Sequence, residues 1–157
     1  MWVKLKLYFI SVFIALGIGG LSAFLIRDNV YIYSLIRKPP LAPPAILFPI
    51  VWTPLYILMG ISSARICLLK AAYPDDVFDA MLSYIFQLIF NFLWAVIFFN
   101  MRTFLFAFVW LVVLWAGILK MIFKFSRLDT AAASLQIPYL LWVTFAGYLN
   151  FMIYLLN

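Results

Sequence analysis

With 157 residues, 69% of them hydrophobic and only 10% charged, the chain falls far short of the roughly one-quarter charged residues of a soluble domain, so lipid must be its solvent. Eleven Lys and Arg stand against five Asp and no Glu, for a net charge of +6; they sit at the ends of apolar runs, as headgroup anchors and topology signals do, and not as a nucleic-acid patch would. Histidine is absent and Cys67 is the only cysteine, which excludes His-dependent triads, His-ligated zinc, a His ligand to haem and any intramolecular disulfide; no metal site is expected.

Runs of about 20 apolar residues cross a bilayer as helices, and five are predicted, at 5–26, 46–69, 80–99, 103–123 and 130–156. Short connections force neighbouring helices to run antiparallel. The expected architecture is an all-α membrane protein, a five-transmembrane-helix bundle forming one domain over residues 1–157. No internal repeat is visible and five spans cannot divide into equal halves, which weakens an inverted-repeat transporter reading.

The first run begins behind Lys4 and Lys6 and contains Leu21-Ser22-Ala23, features that would suit a signal peptide. It continues to Ile26, however, and carries Ala15, Gly19 and Ala23 at four-residue spacing, a stripe that lets membrane helices approach closely. It is read as a retained span. The loop that follows ends in KPPLAPPAILFPIVW, Lys38 to Trp52. Proline fixes φ and disfavours helix in the residue before it, so Pro39, Pro40, Pro43 and Pro44 should hold this loop stiff and extended over the bundle mouth, as a lid. Pro49 and Pro54 should loosen the second span around Trp52, which lies one turn from Tyr56.

In the third span Gln87, Asn91, Trp94 and Phe98 follow 4-3-4 spacing and share one helix face. The fourth span carries Trp110 and Trp115, read as lipid-facing, while Trp2 suits an interfacial belt. In the fifth, Pro138, Trp142, Ala146 and Asn150 are spaced by four. Amides in hydrocarbon must find partners, so these stripes should turn inward. Helix–helix glue accounts for any one of these residues. Three inward stripes that each bring a Trp suit a pocket for a flat aromatic ligand better.

All five aspartates fall at loops or helix ends, which argues against proton-coupled pumps, whose proton rides on an intramembrane acid. Lys4, Lys6, Arg65, Lys70, Lys120, Lys124 and Arg127 lie on the N-terminal side, against Arg27, Arg37, Lys38 and Arg102 on the other. That bias favours a cytoplasmic N-terminus.

Together, Tyr33, Lys38-Pro39, Pro43-Pro44, Pro49, Trp52, Leu55-Tyr56, Met59-Gly60, Gln87, Asn91, Trp94, Pro138-Tyr139-Leu140-Leu141-Trp142, Phe145-Ala146 and Leu149-Asn150 give the chain its likeness. It resembles, over nearly its whole length, the translocator protein family, also called tryptophan-rich sensory proteins or peripheral benzodiazepine receptors. The resemblance implies a five-helix membrane receptor, a homodimer in a bacterial plasma membrane, that binds porphyrins, sterols and benzodiazepine-like compounds for sensing, transport or breakdown, with no required cofactor and no nucleic-acid partner. It implies a ligand pocket lined by Ala23, Tyr33, Pro43, Trp52, Tyr56, Asn91, Trp94, Phe98, Trp142 and Ala146. Trp52 and Trp142 match the tryptophans implicated in light-dependent porphyrin breakdown, the one catalytic role it suggests.

The chain departs from the family pattern in three places. Leu41 and Ile46 stand where tryptophans are usual, and no basic residue follows Tyr154, as the vertebrate sterol motif requires. On the residues alone, a small transporter or channel and a purely structural helix partner stay open.

Overall fold

A computed structural model describes residues 2–157, and among them there are helices and no strand. The helices are α1 (Trp2–Ile26), the short α2 (Ile32–Leu35), α3 (Leu47–Cys67), α4 (Pro74–Ala95), α5 (Phe104–Leu128), the short α6 (Thr130–Ser134) and α7 (Ile137–Leu156). Five stretches are long and apolar enough to cross a membrane: Trp2–Ile26, Leu47–Cys67, Pro74–Met101, Phe104–Leu128 and Thr130–Leu156. The five expected spans are all present.

Their ends differ from expectation where local chemistry outweighs hydropathy. The third span starts six residues early, at Pro74, because a proline fits the first helical turn and Asp75 and Asp76 complement the positive end of the helix dipole. It also runs on through a π-turn, Val96–Asn100, which the Met101 N–H closes by donating to the Val96 carbonyl five residues back (3.1 Å). The fifth span is broken at Leu135–Gln136 into α6 and α7, since Pro138 cannot donate to a preceding turn and begins a new helix.

Around the bundle the order is α3, α1, α4, α5, α7, with α6 closing the ring onto α3. The small-residue stripe of α1 faces inward: Ala15 is buried and a Cβ on Gly19 would collide with the Tyr56 ring. Opposite it, Gly60 of α3 lies against the Val12 backbone. Close approach of backbones replaces the hydrophobic drive that lipid cannot supply. Trp2 is 82% exposed, as an interfacial residue would be. Trp110 and Trp115 do not simply face lipid: Trp110 stacks on Phe90 (4.3 Å) and donates to its carbonyl (2.9 Å), and Trp115 donates to Thr144 (2.9 Å).

At the N-terminal end of the bundle, Arg65 Nε meets Asp129 Oδ2 at 2.8 Å, and Lys124 meets Asp79 at 2.7 Å. Asp129 also caps α6, accepting from the Ala131 and Ala132 N–H groups. The hydrogen bond from Arg65, followed by those backbone donors, holds its carboxyl below the ordinary 3.8 despite partial burial. A depressed carboxylate pKa stabilises the fold fully above the unfolded value, and that contribution is lost as pH falls through the folded value. Detergent-solubilised protein should therefore keep a constant melting temperature from neutral pH down to about pH 4 on this account, then lose stability. Asp129→Asn should flatten that acid limb; an unchanged limb would assign it to other carboxylates.

Candidate functional site

Among the described residues the helices border a large, half-open cavity of about 440 Å³ beneath the loop between α1 and α3. Its walls come from α1 (Gly19, Ser22, Ala23, Ile26), from the start of α3 (Phe48, Pro49, Trp52, Tyr56), and from α4 and its π-turn (Asn91, Trp94, Ala95, Phe99). Val30, Tyr33, Ala45 and Ile46 from the connecting loop line the same space.

The loop is tied down by side chains as well as stiffened by prolines. The Tyr33 hydroxyl donates to the Pro43 carbonyl (2.8 Å), and Lys38 donates to the Tyr33 carbonyl (3.0 Å) with its ammonium 4.8 Å from the Tyr33 ring. Burial pushes the Tyr33 phenol above its ordinary 10, so at neutral pH it is a donor. Asn157 clasps the loop from the far end of the chain, accepting from the Arg37 N–H and donating to the Arg37 carbonyl (both 2.9 Å). Tyr33 then meets Phe48 edge-on at 5.1 Å, which joins the loop to the cavity wall.

Of the ten residues expected at a pocket, Ala23, Tyr33, Trp52, Tyr56, Asn91 and Trp94 line this cavity. Phe98 and Ala146 instead line a much smaller adjoining space of about 20 Å³, shared with Tyr33, Phe48 and Trp94. Pro43 contributes a carbonyl to Tyr33 and lies outside both. Trp142 also lies outside: it packs edge-on against Phe48 at 6.1 Å and against Phe145 at 5.6 Å. Trp52 and Trp142 are thus not equivalent, one forming the wall and the other backing a wall residue.

Several lining residues were missed by pattern reading. Ser22 and Ile26 extend the inward stripe of α1 and could have been found by continuing its spacing. Phe99 could not, because ideal helical spacing selects Phe98; the π-turn adds a residue to the turn and brings both rings inward. Asn150 belongs to the glue: it accepts from Trp94 Nε1 (3.1 Å) and donates to the Phe104 carbonyl (2.8 Å). Asn91 donates to the Tyr56 hydroxyl at 3.3 Å, making the polar floor of a space that is otherwise aromatic and aliphatic apart from Ser22.

The cavity has no acid, base or thiol on its walls, and no cluster of three metal-ligating residues exists among the described residues. Such a site binds by shape, dispersion and stacking, with amide and phenol groups to orient a ligand.

The TspO/MBR family model matches residues 9–156. The chain belongs to the TspO/MBR family. It is 37% identical over 148 residues to the tryptophan-rich protein TspO of Chlorobaculum tepidum, covering 94% of this chain and 92% of that one. It is 34% identical over 149 residues to the tryptophan-rich sensory protein of Cereibacter sphaeroides, covering 95% and 90%. The likeness reaches the translocator protein of Bos taurus, at 30% identity over 119 residues, 76% of this chain and 70% of that one. As a TspO/MBR protein with five apolar spans, the chain is an integral membrane protein.

Proposed function

We propose that this protein is a receptor for a porphyrin-type tetrapyrrole, held flat in the cavity beneath the α1–α3 loop. The observation that carries this reading is the wall itself: Tyr33, Phe48, Trp52, Tyr56, Trp94 and Phe99 surround a space of about 440 Å³ with Asn91 at its floor. Small-molecule pockets run from roughly 300 to 1,000 Å³ and place a few polar groups among aromatic ones. The name of the Cereibacter sphaeroides relative, a sensory protein, supports a sensing role. A homodimer in a bacterial plasma membrane with its N-terminus in the cytoplasm belongs to the same proposal, on the basic-residue bias and the family likeness.

Titration of metal-free protoporphyrin into solubilised protein, read by quenching of tryptophan fluorescence, tests the proposal; saturable quenching that the same titration of a heat-unfolded sample lacks is expected. With no histidine in the chain, haem iron gains no imidazole ligand, and metal-free porphyrin should bind at least as tightly as haem. Much tighter haem binding with a six-coordinate spectrum would refute that expectation.

The loop acts as the lid of this site. Replacing the Pro39-Pro40 and Pro43-Pro44 pairs with alanine should lower porphyrin affinity, because a looser loop loses more entropy when it closes over ligand. Helical content should stay constant by circular dichroism. Unchanged affinity would make the loop a mere connector.

A further inference from the structure

The exposure of its lining residues shows where the cavity opens. On α4, Asn91, Trp94 and Ala95 are buried, as are Ser22, Tyr33 and Tyr56. The lining residues that are also exposed are Ala23 and Val30 on one side, and Ala45, Ile46 and Pro49 on the other. The mouth therefore lies along the seam between the end of α1 and the start of α3.

That seam is tight farther from the loop. Gly60 lies against the Val12 backbone, and the Tyr56 ring fills the space that a Cβ on Gly19 would need. One turn nearer the loop, at Ala23, the wall of α1 is already exposed. The neighbouring routes are fastened. Asn29 donates to the Asn100 side chain (2.9 Å) and Asn100 to the Leu25 carbonyl (3.2 Å), which ties the end of α1 to the π-turn. The loop overhead is held by Tyr33 and Asn157, as described above. Among the described residues, no side-chain hydrogen bond joins residues 19–30 to residues 45–56, whose polar groups bond elsewhere.

All five exposed rim residues are apolar, and no charged side chain lines the cavity. Arg27, the nearest cation in sequence to Ala23, is turned to the Phe24 ring (4.1 Å) and to Asp28 (3.6 Å). Ala23 lies one turn inside the end of the first span and Pro49 in the first turn of α3, so the mouth faces the edge of the hydrocarbon layer. A flat apolar ligand leaves water for the bilayer by ordinary hydrophobic transfer and is concentrated at that depth. We propose that ligand enters and leaves sideways, from the bilayer through the seam between α1 and α3, and that Ile46 sets the width of this mouth. Ile46 is the bulkiest of the exposed rim residues, is 66% exposed, and stands where the family pattern has a tryptophan. An isoleucine leaves open a gap that an indole would cover. The loop then roofs the bound ligand without having to open for it. The proposal rests on the reading of the cavity as a ligand site.

A thiol placed in the cavity tests the route without relying on porphyrin. Ser22 is 6% exposed and lines the cavity, so Ser22→Cys is a near-isosteric probe, made together with Cys67→Ser because Cys67 is the only native thiol. In lipid nanodiscs, labelling by a lipid-soluble maleimide is followed by mass spectrometry. Adding Ile46→Trp should slow labelling severalfold. Adding Asn157→Ala, which releases the loop clasp, should leave the rate unchanged. A folded probe protein that does not label, or an Ile46→Trp rate equal to that of the probe protein, would overturn the proposal. So would severalfold faster labelling with Asn157→Ala, which would place the route under the loop. For porphyrin itself, Ile46→Trp should slow association and dissociation together, each more than it changes affinity. A probe that labels as expected in a protein that binds no porphyrin would keep the side entrance and refute the porphyrin reading alone.

Discussion

Replacing Trp52 with alanine is expected to weaken porphyrin binding by about 2 kcal/mol, or roughly thirtyfold, the loss typical when a buried aromatic anchor is truncated. Trp52 forms one wall of the cavity and is itself braced, tilted against Tyr56 at 5.6 Å and edge-on to Tyr139 at 6.1 Å. Truncation removes both the stacking surface and the support of the floor. Trp142→Phe should change affinity far less, because Trp142 reaches the cavity only through Phe48. Fluorescence titration of both variants decides the matter, and equal losses would mean that ligand displaces Phe48 and contacts Trp142 directly.

The same asymmetry predicts the photochemistry. An indole stacked on an excited porphyrin can give up an electron more readily than a phenyl ring. Trp52→Phe should therefore slow the loss of porphyrin absorbance under light, with affinity kept within about tenfold, or 1.4 kcal/mol. Trp142→Phe should slow it less. If illumination bleaches bound and free porphyrin at one rate in the parent protein, the site is a binder alone.

The second large effect is expected at Gly60. A side chain there would drive into the Val12 backbone, with the Val12 nitrogen at 2.8 Å and the Ser11 carbonyl oxygen at 2.9 Å from the new Cβ. Backbone cannot swing aside as a side-chain tip can, so Gly60→Val must push α1 off α3. Overpacking of this kind costs roughly 1–3 kcal/mol, and here it also widens one wall of the cavity. Gly17→Ala is the matched control, since a Cβ at Gly17 meets nothing within 4 Å. Thermal unfolding in detergent should show a clear drop for Gly60→Val and none for Gly17→Ala. Equal behaviour would show that α1 is held elsewhere.

How much of this was legible in advance depended on the range of the interaction involved. Hydropathy alone located five spans, because the cost of exposed backbone in lipid leaves helices as the only solution for runs of that composition. The stiff loop could be read from its prolines, and the inward faces of α1, α3 and α4 from their spacing, since both are local properties of the chain. Local chemistry also explains the early start of α4 at Pro74, where the proline and the aspartates of the first turn outweigh average hydropathy.

Three features needed the tertiary structure. The π-turn at Val96–Asn100 changes which aromatic rings face inward, and nothing in a regular period announces it. The separation of Trp52 from Trp142 rests on Phe48 standing beside both the cavity and Trp142, a contact between α3 and α7. The division of the amides into kinds, with Asn150 bound to Trp94 and Phe104, Asn91 to Tyr56, and Gln87 to no protein group, follows from which helix each one meets. Spacing along one helix determines the face on which a residue lies; only packing of five helices determines what that face touches.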